Sequence, residues 1–377
     1  MINLDHAATM PLRKQAKAAL ASYYNSLDSG NPSALHGLGR ADRKAVDDAR
    51  KRIAALLGTE PGEIYFTSGG TESDNWAVFG VAYAYGEPVH MITSSIEHHA
   101  VLHAFDELER RGFAVSRIQP GKDGHICPEA VEKEIRPETK LISIMTANNE
   151  IGTIEPILEI GEIAAKHGVM FHTDAVQAVG AVPMNLKQLK VDLLSLSAHK
   201  FGGPRGMGIL FIRRGCRITP FHFGGAQERG LRGGTENTAG ILATAAALQE
   251  TMEHCEEENK RIGFLRDLLM RDIIKRVPDV RINGTLEDRL PNNLHLSFAG
   301  VDQDALLMNL DMEGLAASAG SACTSGSGSR SHVMTAIGCS GRNEADLRLT
   351  LGSDNTEEEI IAAAEIIAKA VCRLRNA

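Results

Sequence analysis

The chain has 377 residues, of which 43% are hydrophobic, so it can bury a sizeable core, and its length predicts about two domains. A formal net charge of -8, with no long run of Lys and Arg, argues against a nucleic-acid partner and against binding to an anionic membrane. The six cysteines are far apart, and neither a secretory signal nor a stretch able to cross a bilayer is present, so we expect reduced thiols and a cytoplasmic protein.

The first half of the chain alternates between helix-like and strand-like segments. Apolar residues at helical spacing predict an amphipathic helix between residues 40 and 57. From residue 63 to 212, β-rich runs separated by helix-like segments predict a parallel sheet with helices on both faces. These runs are EIYFTSGG, HMITSSIEHH, KLISIMTANN, VMFHTDAVQA, DLLSLSAHK and MGILFI. Several end in polar or small residues, at the edge where open α/β sheets bind ligands.

The pattern changes in the last third of the chain. A charged stretch at residues 253–260 opens a long helical pattern and predicts a domain boundary near residue 255. Thr356 and Glu359 form a capping box before a closing amphipathic helix. We expect a large domain over residues 15–255 and a small domain made of residues 1–14 and 256–377.

Two strand ends carry residues suited to cofactor chemistry. In SLSAHKFGGPRG, Lys200 follows an apolar strand, where desolvation can disfavour its ammonium form and make it a candidate Schiff-base nucleophile. In HTDAVQA, Asp174 could keep a pyridine nitrogen protonated, and Gln177 could bind a phenolic oxygen. Taken singly, a solvated lysine and a helix-capping aspartate are the better interpretations.

Two further motifs are each ambiguous. FTSGGTESDNWA predicts a strand, a glycine turn and a helix beginning near Thr71 or Glu72, whose free amides suit a phosphate, although an ordinary capped turn explains the pattern equally well. IEHHAV and AHK supply His98, His99 and His199 without further residues at metal-ligand spacing. We therefore expect no metal, and favour an aromatic lid or a proton carrier.

The motifs together match a known family. Lysine, carboxylate, phosphate turn and imidazole are the groups that a pyridoxal-phosphate enzyme requires. The chain resembles the NifS/IscS-like cysteine desulfurases, within the fold-type I pyridoxal-phosphate enzymes of the class-V aminotransferase family, from LDHAAT near residue 4 to LRLTLG near residue 350. The matching pieces, in order, are GNPSALH, TSGGTESDN, EHHAV, NNEIG, HTDAVQA, SAHK, GGAQERGLRGGTEN and SAGSACTSGS.

This resemblance implies an α/β fold in which the large domain has a mainly parallel sheet of the seven-stranded type flanked by helices, beside a smaller α+β domain. It implies pyridoxal 5'-phosphate as cofactor, attached to Lys200, with Asp174 on the pyridinium, Gln177 on O3' and His98 stacked on the ring. The remaining cofactor contacts that it implies are Gly70, Thr71, Ser197 and His199 on the phosphate and Asn149 beside the ring or the substrate.

The resemblance also implies an obligate homodimer, because Thr235 of RGGTEN matches a residue that touches the phosphate of the partner subunit. Arg348 matches the arginine that binds the carboxylate of L-cysteine, a task suited to a planar bidentate donor, and Asn31 matches a residue near that carboxylate. In LRLTLG, Arg348 alternates with Leu347 and Leu349 and so points away from them, which is also the pattern of a residue on the surface of a strand.

Cys323 lies in SAGSACTSGSGS, where small residues over 318–330 predict a moving loop. By itself the pattern fits a free thiol, but within the full set of motifs Cys323 is the expected catalytic nucleophile. Only its thiolate is competent, and His98 is the expected proton acceptor. The loop resembles that of the long-loop, directly donating subgroup, which implies L-alanine, a persulfide on Cys323 and transfer to an acceptor such as an iron–sulfur scaffold, which would bring iron near Cys323.

Three alternatives remain at this point: a selenocysteine lyase, a pyridoxal-phosphate aminotransferase, and a non-catalytic sulfur-assembly scaffold. The sequence also departs from the family at His6, Met10 and Gly203, the last of which stands where many relatives carry a tyrosine. The sequence offers no physical reason for His6.

Overall fold

A computed structural model describes residues 1–26, 29–320, 330–339 and 344–376. Its helices are α1 (Lys14–Asn25), α2 (Gly37–Leu57), α3 (Gly70–Tyr83), α4 (His99–Arg110), α5 (Pro128–Glu134), α6 (Ile157–His167), α7 (Thr238–Arg276), α8 (Gln303–Met312), α9 (His332–Ala336) and α10 (Glu357–Arg375). Within these described ranges, no helix is both long enough and apolar enough to cross a membrane.

The strands form three sheets. They are β1 (Ile2–Asn3), β2 (Ile64–Thr67), β3 (His90–Ser94), β4 (Ala114–Ile118), β5 (Thr139–Ser143), β6 (Met170–Asp174), β7 (Leu193–Ser197), β8 (Gly208–Ile212), β9 (Val280–Ile282), β10 (Asn293–Ala299), β11 (Leu315–Ala316) and β12 (Glu344–Thr350). The largest sheet has seven strands in the order β2-β8-β7-β6-β5-β3-β4. Four of its pairings are parallel, and β8 runs antiparallel to both of its neighbours. The mainly parallel α/β architecture is therefore confirmed.

The central strands are buried on both faces, so their sequences do not alternate between apolar core residues and polar surface residues. Every residue of β3 and β7 is buried. Along β5, Leu141 packs with residues of α3 and α4, whereas Ile142 packs in the cluster that includes α2, α6 and the first half of α7. Successive side chains of a strand point to opposite faces, so helices cover both sides of the sheet.

A second hydrophobic cluster lies on a smaller antiparallel sheet, β12-β10-β9. Leu296 and Leu347 of this sheet pack with apolar residues of α8, α10 and the second half of α7. The capping box at the start of α10 forms as predicted between Thr356 and Glu359. α7 runs without a break through residue 255, so the predicted boundary falls inside a helix, and the division into domains stays a prediction.

Three chain segments bring chemistry to one edge of the large sheet. Asp174 and Ser197 are the last residues of the parallel neighbours β6 and β7. Lys200 ends the short 3-10 turn that follows β7, and Gly70 begins α3 after β2. This arrangement gathers polar groups at the carboxyl ends of the strands.

Candidate active site

A cavity of about 260 Å³ lies at this edge of the sheet. Predicted site residues that line it are Gly70, Thr71, His98, Asn149, Asp174, Gln177, Ser197, His199, Lys200 and Arg348. It also has lining residues that the sequence did not indicate: Ala7, Ala8, Asp74, Met145, Ala147 and Val176. Most of the predicted site is thus assembled within a single chain.

Lys200 is held at the cavity by two backbone carbonyls. Its Nζ donates to the oxygens of Ala7 at 2.6 Å and Ala8 at 3.0 Å. These alanines belong to LDHAAT, which matched the family, but their contribution comes from the main chain. The side chains of these alanines therefore gave no indication that they contact Lys200.

Asp174 is a buried carboxylate at the end of β6. Its Oδ1 accepts a hydrogen bond from the Val176 amide at 2.9 Å. Burial raises the pKa of Asp174 to about 6, although the Val176 amide and the charge of Lys200 act in the opposite direction. Nearby, Gln177 Nε2 donates to the oxygen of Ala7 at 3.2 Å. A buried carboxylate gains most from a cationic partner, so the position of Asp174 fits a protonated pyridine nitrogen.

His98 precedes α4 and caps it. Its Nδ1 accepts a hydrogen bond from the Ala100 amide at 3.1 Å, which assigns the proton of the neutral ring to Nε2. Burial, followed by the charge of Lys200, lowers the pKa of His98 to about 4. A neutral imidazole suits ring stacking. Its lowered pKa makes it a weak base, and its acceptor nitrogen is already bonded, so both observations weigh against a role as proton acceptor for the thiol.

The start of α3 supplies donors suited to a phosphate. The first amides of a helix have no partner within the helix, and here they lie with Thr71, Ser197 and His199 around the cavity. A Cβ on Gly70 would meet Val176 Cγ2 at 2.8 Å, so glycine permits the close approach at this point. The helix begins at Gly70, one residue before the predicted start. This donor set fits the cofactor phosphate.

Asp74 is a cavity residue that we did not predict. It lies one turn beyond Gly70 on α3, and its Oδ1 is buried with no hydrogen-bond partner in the described part of the chain. Burial and the nearby charge of Asp174 raise the pKa of Asp74 well above its usual range. In TSGGTESDN, Asp74 is four residues after Gly70, and this helical spacing could have predicted that it lies on the same face as the phosphate turn.

Arg348 is 2% exposed, so the alternative of a surface position is wrong. Its Nη1 donates to the backbone oxygen of Asn149 at 3.1 Å, and its Nη2 donates to Asp5 Oδ1 at 2.8 Å. Alternation along β12 does place Arg348 opposite Leu347 and Leu349, but the face opposite those leucines meets the cavity. A guanidinium therefore stands at the cavity wall.

Two predicted residues, Thr235 and Asn31, do not line the cavity. Thr235 is exposed and outside this cavity, and its predicted contact involves a partner subunit. Asn31 is exposed on the loop before α2, where its Oδ1 accepts a hydrogen bond from the Ser33 amide at 2.9 Å. The single chain gives no support to its predicted place near the substrate. Cys323 lies outside the described residues.

The described residues on either side of the Cys323 segment meet at Glu150. A Cβ built on Gly320 would lie 2.8 Å from Glu150 Oε2, and the Ser331 hydroxyl donates to that same oxygen at 2.5 Å. Glu150 follows Asn149, which lines the cavity. The described residues Gly320 and Ser331 therefore both contact the residue that follows Asn149 in the chain.

Two of the departures from the family have structural explanations. His6 is buried, with Nδ1 3.1 Å from the oxygen of Thr350 and Nε2 2.9 Å from Asp354 Oδ1, so it joins the N-terminal segment to the end of β12. At Gly203, a Cβ would meet the Cβ of Ala198 at 2.8 Å, so the backbones approach too closely for a side chain. Nothing in the structure explains Met10.

Comparisons with known proteins identify the family. A family model described as aminotransferase class-V matches residues 2–362. The cysteine desulfurase IscS of Methanosarcina thermophila is 47% identical over 377 residues, which cover 100% of this chain and 93% of that protein. A solved NifS-like protein superposes with a TM-score of 0.93 at 35% identity over 99% of both chains. SspA in complex with cysteine superposes with a TM-score of 0.82 at 35% identity, covering 94% of this chain and 100% of that one.

Proposed function

The chain belongs to the class-V aminotransferase family and is a pyridoxal-phosphate-dependent cysteine desulfurase, and from this premise we propose how its residues divide the work. The observation that supports the division is the single cavity lined by Lys200, Asp174, the start of α3 and Arg348. In this proposal Lys200 carries the cofactor, and Gly70, Thr71, Ser197 and His199 hold its phosphate. Asp174, Gln177 and His98 then hold the ring.

The substrate is L-cysteine, and we assign its carboxylate to Arg348, with Asn149 beside it. When bound, the cofactor takes up the electron pair left on the substrate when Cα loses its proton. Lys200, released from the cofactor, is the base that takes this proton, because its Nζ lies at the cavity wall on the carbonyls of Ala7 and Ala8. The two carbonyls hold the amine of Lys200 in place both for attachment of the cofactor and for removal of the Cα proton.

Cys323 receives the sulfur in this proposal. Its thiolate attacks the substrate sulfur, and the Cβ–sulfur bond breaks with its electron pair left on the substrate carbon. Protonation of Cβ, together with return of a proton to Cα, yields L-alanine. The persulfide then passes to an acceptor protein such as an iron–sulfur scaffold. The described neighbours Gly320 and Ser331, which lie at Glu150 beside the cavity, support this assignment.

A homodimer is also part of the proposal. We assign Thr235 to the cofactor phosphate of the partner subunit, and its exposure in a single chain supports this assignment. A cytoplasmic location stays a prediction.

Mass spectrometry of the Cys323 peptide after incubation with L-cysteine, without reductant, tests the central claim. We expect one added sulfur on Cys323, matched by one L-alanine. Cys323→Ser should keep the cofactor and lose sulfur transfer, because serine leaves the cavity residues unchanged. Cys372→Ser is the matched control, since Cys372 is an exposed thiol on α10.

The products distinguish the alternatives. L-alanine without added sulfur on Cys323 would indicate a lyase that releases the sulfur directly, as a selenocysteine lyase does with selenium. A keto acid would indicate an aminotransferase, and the absence of any product would indicate a scaffold. Full sulfur transfer by Cys323→Ser would contradict the assigned nucleophile.

A further inference from the structure

Residues 5–8, which we call the N-terminal bridge, contact two proposed catalytic groups at once. The Asp5 carboxylate accepts a hydrogen bond from Nη2 of Arg348 at 2.8 Å. Two residues later, the carbonyls of Ala7 and Ala8 accept hydrogen bonds from Nζ of Lys200, at 2.6 and 3.0 Å. One short piece of chain therefore touches both the residue proposed to bind the substrate carboxylate and the residue proposed to move its proton.

The N-terminal bridge is itself fixed on β12. The His6 amide donates to the oxygen of Thr350, and the Ala7 amide donates to the hydroxyl of Thr350 at 2.9 Å. The buried His6 ring adds the contacts to Thr350 and Asp354 described above. Because Arg348 is on the same strand as Thr350, the position of Asp5 relative to Arg348 is set by several backbone bonds.

Asp5 supplies the countercharge of a buried cation. The Arg348 side chain is 2% exposed, whereas that of Asp5 is 25% exposed. The other contact of the guanidinium is the neutral carbonyl of Asn149, and its Nε finds no partner among the described residues. A desolvated guanidinium needs an anion, and its planar fork must face in one direction to meet a carboxylate.

We propose that Asp5 is a positioning residue that orients Arg348 and also limits how tightly Arg348 binds the substrate carboxylate. This inference rests on the proposed role of Arg348. The acceptor oxygen of Asp5 fixes the guanidinium, while its negative charge opposes a second carboxylate on the same cation.

Weaker binding of the substrate carboxylate favours turnover. L-Cysteine and L-alanine carry the same carboxylate, so any strengthening of its binding holds substrate and product equally. Such uniform binding lowers KM without raising kcat, and it retards release of the product. Because the Arg348 guanidinium is shared with Asp5, it stays oriented toward the substrate carboxylate but binds that carboxylate less tightly.

Two substitutions in the holoenzyme distinguish the effect of the hydrogen-bond acceptor of Asp5 from the effect of its negative charge. Asp5→Asn keeps an acceptor oxygen and loses the charge, so KM for L-cysteine should fall about threefold to tenfold, as expected for one charge–charge interaction. Asp5→Ala loses both, so its KM should exceed that of Asp5→Asn about tenfold because the guanidinium is no longer oriented. If Asp5→Ala does not fold, comparison of Asp5→Asn with the unchanged protein decides alone.

Cysteamine has the amine and thiol of L-cysteine but no carboxylate. If Asp5 only stabilised the structure, its substitution would change the binding of cysteamine as well as that of L-cysteine. The inhibition constant of cysteamine against L-cysteine should stay within about twofold in Asp5→Asn, because no second carboxylate meets Asp5. A parallel change for both compounds, or an unchanged KM for L-cysteine, would overturn the inference. The visible absorbance of the bound cofactor should be the same in both proteins.

Arg348→Lys distinguishes failure of this inference from failure of the proposed function. A raised KM in Arg348→Lys together with unaffected Asp5 variants would overturn the inference alone. If Arg348→Lys leaves KM unchanged, the assignment of the substrate carboxylate to Arg348 is wrong, and the role of Asp5 falls with it.

Discussion

Glu97 is a buried carboxylic acid directly before the proposed ring-stacking residue His98. Its Oε1 accepts hydrogen bonds from the Ser94 hydroxyl at 2.5 Å and the Met145 amide at 3.1 Å. Its Oε2 is buried and meets no partner within the residues that the structure describes. Burial raises the pKa of Glu97 to about 8, and the charge of Asp174 acts in the same direction. Glu97 is therefore protonated at neutral pH.

Replacement of Glu97 by glutamine should make stability less dependent on pH. An unfolded glutamic acid titrates near 4.5 and the folded one near 8, so the folded protein holds an extra proton between these values. Relative to Glu97→Gln, the free energy of unfolding of the unchanged protein should fall by about 1.4 kcal/mol per pH unit across this window and level off above about pH 8. Urea unfolding of both proteins from pH 5 to 9 measures the difference. Parallel pH profiles would contradict a buried, protonated Glu97.

At the level of single residues, the sequence indicated many of the side chains that line the cavity but not the main-chain groups that contact them. Lys200, Asp174 and Gln177 could be found because their side chains are chemically distinctive and end predicted strands. The carbonyls of Ala7 and Ala8 could not, since every residue has a carbonyl and only the fold decides which ones meet Lys200. The alternation that suggested a surface position for Arg348 did identify the correct face of β12, but not what covers that face.

At the level of elements, the loop over residues 222–236 carries Thr235 and has an unusual backbone. Glu228 and Arg229 have φ values of 44° and 59°, a region that residues other than glycine seldom adopt. Glu228 is held there by two hydrogen bonds from Arg50, at 2.5 and 2.9 Å, and by the Phe66 amide at 3.0 Å. A buried ion pair thus fixes the loop to α2 and β2.

Loss of the Glu228 carboxylate should strongly destabilise the protein. Glu228→Met leaves the Arg50 guanidinium buried without its anion, which should lower the free energy of unfolding by about 3–5 kcal/mol. The double variant Arg50→Met/Glu228→Met removes the unpaired charge as well and should recover part of this loss. Chemical denaturation of the three proteins tests both statements. A double variant no more stable than Glu228→Met would show that the loss arises from packing rather than charge.

The elements that the sequence predicted best are the buried strands of the large sheet. Six strands of the large sheet coincide with the predicted β-rich runs, because each run combines buried apolar or β-branched residues with a turn signal at its end. β4 was not predicted: it is an edge strand whose Ala114 is exposed and whose Arg117 is polar. The unbroken course of α7 through residue 255 was also not predicted, since a charged stretch suits an exposed helix segment as well as a linker.

At the level of the whole molecule, the N-terminal segment ties two regions together. Leu4, His6 and Ala7 form hydrogen bonds with Thr350 of the small sheet. The Met10 and Arg13 amides donate to the oxygens of His199 and Gly202 around Lys200. The proposed site therefore depends on distant parts of the chain. No local pattern could have predicted this, because its contacts join residues more than 180 positions apart.

Assembly of the proposed dimer should place Thr235 of each subunit in the site of the other. Lys200→Ala and Thr235→Ala subunits, each impaired alone, would then form mixed dimers with one site that lacks both groups and one intact site. In an equal mixture half of the dimers are mixed, so activity should reach about a quarter of that of the unchanged protein plus the residual parental activity. Desulfurase assays on the co-expressed subunits measure this, with Lys187→Ala, an exposed lysine, as the control partner in place of Thr235→Ala. If Thr235 acts within its own subunit, every Lys200-containing site in the first mixture carries the Thr235→Ala defect, and activity stays at the mean of the two parents.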